Sequence, residues 1–354
     1  MTSLVSILIP AYNAERWIAE TIQSAVAQSW PRKEIVIVND GSRDRTLAIA
    51  QQFASPSVLV VEQQNQGASA ARNKAFELCQ GDYIQWLDAD DLLEPNKIAR
   101  QMEAAFDVGG KRTLLSSAWA YFIYSRKRGK FVPTPLWCDL LPVEWLICKM
   151  EQNLHMPPAT WLVSRELTQA AGPWDTRLSF DDDGEYFCRI VMASEAIRFV
   201  PRAGVLYRMS GTGSVSDFDQ SEEKLVSLFL SMQLHIRHLL SLEDSQRTRA
   251  ASLSYLQRRF LRFYPEHTSL VEELQQLAAR LGGRLDIPQL PWHYSLMRKT
   301  VGWTRTKRIR QQYNRCKSVV MRFWDKTLFY LQSRDRIGSN ERFGTDCAVS
   351  DAAS

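Results

Sequence analysis

Two carboxylates one residue apart, Asp88 and Asp90, follow the apolar run Tyr83 to Leu87. A pair so spaced at a strand end can share a hard divalent cation, which takes oxygen ligands and keeps positions open for phosphate oxygens. The same residues also suit a solvated acidic turn, or a helix start with Asp91 as its cap before Leu92-Leu93-Glu94-Pro95. A second cluster, Asn39-Asp40-Gly41-Ser42-Arg43-Asp44, offers a glycine that lets backbone approach a ligand. Its Asp40 carboxylate can accept hydrogen bonds from a base or ribose, and a plain turn with Asp44 capping the next helix fits equally well. In the third, Asn65-Gln66-Gly67-Ala68-Ser69-Ala70-Ala71-Arg72-Asn73, an arginine lies one turn into a helix. A helix N-terminus and a guanidinium both suit a diphosphate, although Arg72 could equally pair with a neighbouring carboxylate. Farther on, Asp181-Asp182-Asp183 sets three carboxylates side by side. Mutual repulsion should raise at least one of their pKa values and so favour a proton acceptor, unless the loop is simply solvated.

The elements around these clusters alternate. Leu4 to Ile9, Ile35 to Val38, Val58 to Val61 and Tyr83 to Leu87 are short apolar runs, as in parallel strands buried on both faces. Helical spacing lies between them over Glu15 to Gln28, Asp44 to Phe53 and Ala68 to Cys79. Repeated β-α units imply an α/β sheet with right-handed crossovers, and ligands then bind beyond the carboxyl ends of the strands. Each polar cluster, including Pro10-Ala11-Tyr12-Asn13 after the first run, falls at such an end. Residues 110–217 are less regular, with strand-like pieces at Leu114 to Tyr124, Ala196 to Val200 and Gly204 to Arg208. From Phe218 to about Leu281 the pattern is helical, with Leu225, Leu228, Phe229, Met232 and Ile236 at core spacing. Gly282-Gly283 and the prolines at 288 and 291 mark a break before the tail.

The clusters, in this order and spacing, resemble the inverting family 2 glycosyltransferases of the GT-A fold. The likeness runs from about Val5 to Asp91 and resumes at Gly172-Pro173-Trp174-Asp175 and at Asp182-Asp183-Gly184-Glu185-Tyr186-Phe187-Cys188-Arg189. It implies an α/β sheet of the nucleotide-diphospho-sugar transferase type with helices on both faces, over residues 1–217. A helical extension over 218–281 and a basic, partly amphipathic helical tail over 282–354, its end read as disordered, would lie outside it. By the resemblance, Pro10, Tyr12, Asn13, Asp40, Gly41, Gly67, Arg72 and Asp88 would bind the nucleotide sugar. Asp90 with Asp88 would hold Mn²⁺ or Mg²⁺, and Asp183 with Asp182 would supply the catalytic base. The family has Glu before this Asp, whereas here Asp182 precedes it. The implied reaction moves a sugar from a nucleotide-diphospho-sugar, expected to be a UDP-sugar, to an acceptor hydroxyl of a glycan or glycolipid. Tyr207-Arg208 and Gly211-Thr212-Gly213-Ser214-Val215-Ser216 resemble the family's flexible segment, which would close over donor; a plain linker fits as well.

Two other functions fit the residues less well. A nucleotidyltransferase wants a Gly-rich, basic loop after the first strand, and Pro10-Ala11-Tyr12-Asn13 offers neither. A catalytically silent nucleotide-sugar-binding scaffold sits poorly with intact Asp88, Asp90 and Asp183. His155, near Met156-Pro157-Pro158, reads as a structural histidine.

Composition sets the bounds. The chain has 354 residues, 45% hydrophobic and 23% charged, which excludes a disordered or collagen-like chain. Six cysteines without CxxC spacing read as reduced thiols in a cytoplasmic protein. The N-terminus carries no basic leader, and the longest uncharged apolar-leaning run, about Thr113 to Ser125, is too short to span a bilayer. The net charge of +5 hides a division: residues 280–342 hold 15 basic and 4 acidic residues, a balance of +11, leaving −6 elsewhere. Within the tail, Tyr313 to Leu331 reads as a basic amphipathic helix with aromatics. Such a helix packs on protein, or lies peripherally on the inner face of the cell membrane. No nucleic-acid recognition motif accompanies the charge.

Overall fold

The computed structural model describes residues 3–209, 221–287 and 291–342. The loop over Gly211 to Ser216 read above, and the chain end after Arg342, lie outside them. Two compact units are present: Met1–Tyr121 with Lys130–Gln289, and Phe122–Gly129 with Leu290–Ser354.

In the first unit the elements run β1 (Val5–Ala11), α1 (Ile18–Val26), β2 (Lys33–Asp40), α2 (Thr46–Gln51), β3 (Val58–Gln63), α3 (Ala68–Leu78), β4 (Tyr83–Trp86), β5 (Leu92–Leu93) and α4 (Lys97–Val108). They continue with β6 (Thr113–Phe122), β7 (Lys130–Phe131), α5 (Pro142–Gln152), β8 (Val163–Ser164), α6 (Arg165–Ala171), α7 (Asp182–Ala193) and β9 (Ala196–Arg208). Helices α8 (Glu222–Leu242), α9 (Gln246–Phe260) and α10 (Thr268–Arg280) complete it.

The main sheet has the order β3-β2-β1-β4-β8. Strand β1 pairs in parallel with β2 and β4, β2 pairs in parallel with β3, and β8 closes the edge antiparallel to β4. Ile7, Leu8 and Ile9 are fully buried, as a parallel strand covered by helices on both faces requires. The chain winds outward from β1 through β2 to β3, then returns to β4 on the other side of β1. The order therefore reverses at β1, and the crevice beyond the carboxyl ends of β1 and β4 is the ligand position of such sheets. Tyr12 and Asn13 follow β1; Asp88 and Asp90 follow β4.

A second sheet, ordered β5-β9-β6-β7, lies beside the first. Here the structure corrects two local readings. Ala196 to Val200 and Gly204 to Arg208 form one strand, β9. Leu92 and Leu93 pair with Leu206 and Val205 instead of opening a helix. Proline disfavours helical backbone in the residue before it, so Glu94 stays extended and α4 waits until Lys97.

Helix α8 buries Leu225, Leu228, Phe229, Met232 and Ile236, the face expected from their spacing. Among the described residues it is the one helix long and apolar enough to cross a membrane by length and composition, and half of that window is buried against the protein. Helices α5, α7 and α9 pack on it. The second unit holds α11 (Trp292–Val301) and α12 (Trp303–Arg342) with the segment Phe122–Gly129.

Candidate active site

The loops after β1, β2 and β3 are tied to one another before any ligand arrives. Asn13 Oδ1 accepts the Arg43 backbone N–H (2.9 Å), and the Asn13 N–H donates to Ser42 Oγ (3.0 Å). Asp40 is buried at the end of β2 and accepts from Gln63 Nε2 (2.7 Å) and from the backbone N–H groups of Gln66 and Gly67 (both 2.9 Å). Gly41 follows with φ +66°, and a Cβ there would lie 2.8 Å from the Asn65 nitrogen, so glycine is required for this approach. Pro10 is half-buried and Tyr12 is exposed at the same edge. Asp40 thus shapes the rim of the crevice, and a carboxylate with about four acceptor positions keeps capacity for a ligand donor.

Arg72, on the first turn of α3, is 6% exposed. Its Nη1 donates to Asp182 Oδ2 (2.7 Å) and its Nη2 to Asp88 Oδ1 (2.8 Å). The guanidinium lies 4.3 Å from the ring centroid of Trp174, a cation–π distance. Ser69 Oγ adds a hydrogen bond to Asp182 at 3.2 Å. The two carboxylates, Asp88 most strongly, raise the Arg72 pKa against its burial. Of the two alternatives open for Arg72, the structure shows the carboxylate pairing.

Beyond Asp88 the chain is held by Arg208, which the resemblance put in a flexible segment and which the structure places in a strand. Arg208, the last residue of β9, donates Nε to the Asp90 carbonyl (2.7 Å), its backbone N–H to Asp91 Oδ1 (2.8 Å) and Nη2 to Glu20 (2.8 Å). Its guanidinium sits 4.2 Å from the Trp17 ring centroid. Asp91 is fully buried; burial first, then the charges of Asp90 and Asp88, push its carboxyl well above the usual range.

The triple aspartate opens α7. Asp181 adopts φ +61° and accepts from Ser231 Oγ on α8 (2.6 Å), with Arg259 of α9 at 3.6 Å. Arg259, His235 and Lys149 hold its carboxyl far below the usual range despite burial. A Cβ at Gly184 would lie 2.6 Å from Asp181 Oδ1, so this turn of helix needs glycine. Ser227, one turn before Ser231, accepts the backbone N–H groups of Ser179 and Phe180 at 3.0 Å. Asp183 shows the opposite electrostatics. Burial, then the charges of Asp182 and Asp181, push its carboxyl up to about 7, with Arg72 pulling the other way. Of the three carboxylates, Asp181 is committed to α8 and α9, Asp182 to Arg72 and Ser69, and Asp183 is the one poised to take a proton near neutrality.

Around these carboxylates stand aromatic rings. The charges of Asp91, Asp183, Asp88 and Asp90 all add to burial in raising the Tyr207 phenol, so Tyr207 borders the acidic centre. Its ring is 5.7 Å from Tyr121 and 6.3 Å from His155, and Trp119 lies 4.6 Å from Tyr121 and 5.1 Å from His155. His155 thus belongs to an aromatic group beside the site.

The structure brings Arg72, Asp88, Asp182 and Asp183 together and sets Asn13, Asp40, Gly41 and Gly67 along one rim. Sequence reasoning missed the contacts of Arg208 with Asp90, Asp91, Glu20 and Trp17, and the support from Lys149, Ser231, His235 and Arg259. The readable signal for the latter was a polar stripe, Ser227, Ser231 and His235 at four-residue spacing, on the buried face of an otherwise apolar helix. Among the described residues no group of three or more His, Cys, Asp and Glu is arranged to hold a metal ion. Asp88 and Asp90 supply two carboxylates, a donor set that fits a hard cation completing its shell with phosphate and water oxygens.

The fold is of the GT-A type. A family model for glycosyl transferase family 2 matches residues 6–126. Curated relatives include the putative teichuronic acid biosynthesis glycosyltransferase TuaG of Bacillus subtilis (strain 168), 42% identical over 103 residues, 28% of this chain and 41% of the relative. Chondroitin synthase of Escherichia coli is 36% identical over 140 residues, 35% of this chain and 20% of that protein. The uncharacterized glycosyltransferase EpsJ of Bacillus subtilis (strain 168) is 28% identical over 216 residues, 59% and 62% of the two chains. In each, the match spans less than two thirds of the relative's length. Among solved structures, residues 1–349 of TarS from S. aureus in complex with UDP-GlcNAc share the fold with a TM-score of 0.62 at 19% identity, over 78% of this chain and 81% of that one.

Proposed function

We propose that the protein transfers a sugar from a UDP-sugar to an acceptor hydroxyl of a glycan or glycolipid, with inversion at the anomeric carbon. The observation that carries this reading is the cluster beyond the carboxyl ends of β1 and β4, where Arg72 bridges Asp88 and Asp182 beside a carboxyl, Asp183, pushed up to about 7. The UDP-GlcNAc bound by TarS supports the choice of donor. The acceptor class is supported by relatives named for teichuronic acid and chondroitin synthesis. A lipid-linked acceptor would put the enzyme at the cytoplasmic face of the cell membrane.

The residues divide the work. Pro10, Tyr12, Asn13, Asp40, Gly41 and Gly67 form the rim that receives the nucleotide. Arg72 exchanges part of its carboxylate pairing for the donor diphosphate, a charge-assisted contact of the same geometry. Mn²⁺ or Mg²⁺, held by Asp88 and Asp90, would neutralise charge developing on the departing diphosphate. Asp183 accepts the proton of the acceptor hydroxyl as that oxygen attacks the anomeric carbon, and the bond to diphosphate breaks. A single displacement through an oxocarbenium-like state inverts the centre, as in inverting hydrolysis. Asp182 orients Arg72 and adds the negative charge that keeps Asp183 basic.

The test is donor binding and transfer in Asp183→Asn and Asp90→Ala. Asp183→Asn should bind UDP-sugar with unchanged affinity and lose about 10²–10⁴-fold in transfer. Asp90→Ala should lose the thermal stabilisation that Mn²⁺ adds to donor binding. Near wild-type transfer in both variants would sink the proposal.

A further inference from the structure

The second unit is built on α12, and the two sides of that helix differ. One side packs within the unit. Asp325 accepts the Tyr124 backbone N–H at 2.9 Å and lies 3.4 Å from Arg128 Nη1. The Phe329 ring sits 6.3 Å from Tyr124, and Lys307 is buried on the same side. At 3.6 residues per turn, Ile309, Tyr313, Val320, Phe323 and Trp324 share a stripe turned away from Asp325, with Val319 at its edge.

That stripe is open to solvent. Tyr313 is 61% exposed, Phe323 66% and Trp324 60%, and Val319 and Val320 are each more than half exposed. Neighbouring apolar side chains left uncovered along a helix mark an interaction face. The residues beside them say what it meets. Arg308 and Lys326 border the stripe on one side and Lys317 on the other, all three exposed. Between Trp303 and Phe329 there are eight Lys and Arg against one acid, Asp325, which is turned inward.

A stripe of aromatic and β-branched residues between basic borders is the pattern of a helix lying in a lipid interface. Its rings reach the boundary of headgroups and acyl chains while the cations meet lipid phosphates and carboxylates. A protein partner would need acidic residues on both flanks of an apolar groove, whereas an anionic bilayer presents that arrangement everywhere. We propose that α12 docks the protein on an anionic membrane surface through Tyr313, Val320, Phe323 and Trp324, with Arg308, Lys317 and Lys326 on the headgroups. This docking stands independently of the donor and acceptor reading, because no residue of the crevice takes part.

The test is co-sedimentation of the full chain with phosphatidylcholine vesicles and with vesicles rich in phosphatidylserine. The unaltered protein binds the anionic vesicles at least about tenfold more strongly, and raised salt releases it. Phe323→Ser with Trp324→Ser, and separately Arg308→Glu with Lys317→Glu, each lower the binding about tenfold or more at an unchanged melting temperature. Salt release of the unaltered protein needs no variant, so a misfolded variant leaves a decisive measurement. Equal binding to both vesicle types, or anionic binding untouched by both variants, overturns the proposal. So does a chain that ignores vesicles and forms a dimer split by Phe323→Ser with Trp324→Ser.

Discussion

Arg72 joins Asp88, 2.8 Å away in the loop after β4, to Asp182, 2.7 Å away at the start of α7. The two carboxylates are 94 positions apart in sequence, and the planar fork of one guanidinium spans them. Lysine replaces that two-pronged fork with a single compact ammonium, which does not match its geometry. Arg72→Lys should therefore lower kcat/KM by about 10²-fold or more, and Arg72→Met should cost about 3 kcal/mol of stability by leaving Asp182 unpaired. Denaturant unfolding beside steady-state kinetics measures both effects; a Lys variant with unchanged kinetics would exclude the bridging role.

Asp183 predicts a pH dependence. Its carboxyl is raised to about 7, so the base form fills as pH climbs through that value. Transfer should fall about tenfold for each pH unit below 7. Asp182→Asn removes a like charge and should move this limb to lower pH. Stability runs the other way. The folded chain holds this proton more tightly than the unfolded chain, so ionising it as pH rises costs stability. Asp183→Asn should thus be more stable than the parent above pH 7, and the gain should fade as pH falls towards the ordinary 3.8.

Asp181 links helices outside the matched residues to the turn that carries Asp183, the proposed base. Ser231 and Arg259 hold a residue in left-handed backbone, and that residue starts the turn bearing Asp183. Ser231→Ala should cost about 1 kcal/mol and lower kcat while donor affinity stays constant. Ser231→Thr, which keeps the hydroxyl, should restore kcat if Thr fits the buried site. Equal losses in kcat and donor affinity would mean a loosened fold instead.

Lys97 is fully buried, donating to Gln85 Oε1 and to the Trp161 carbonyl, and burial lowers its pKa well below 10.5. The unfolded chain binds this proton more tightly, so stability should rise with pH between the lowered value and 10.5. Lys97→Met keeps the apolar stem and should flatten that slope in thermal melts across pH. An identical slope would show that Lys97 stays charged inside.

Much of the first hundred residues was legible because parallel strands write themselves as apolar runs, and ligand-facing residues must follow strand ends. The strand-end positions of Asp40, Gly41, Gly67, Arg72 and Asp88 were read that way. Arg208 was read as part of a flexible segment, because a single arginine closing a strand carries no period; only the return of β9 past β5 sets it against Asp90, Asp91 and Glu20. Leu92-Leu93 misled for a related reason. Two apolar residues suit a helix start or a strand, and the choice was made by a partner strand more than a hundred residues away.

By itself, then, the amino-acid order determined the α/β sheet, the strand-end position of the chemistry and the residue types that could perform it. Those depend on local periodicity and on side-chain chemistry. The tertiary structure decided which aspartate does what. Asp181, Asp182 and Asp183 are the same residue type at consecutive positions, and their proton affinities differ because their neighbours do. Arg259 and Ser231 engage the first, Arg72 and Ser69 the second, and the third is left beside two negative charges.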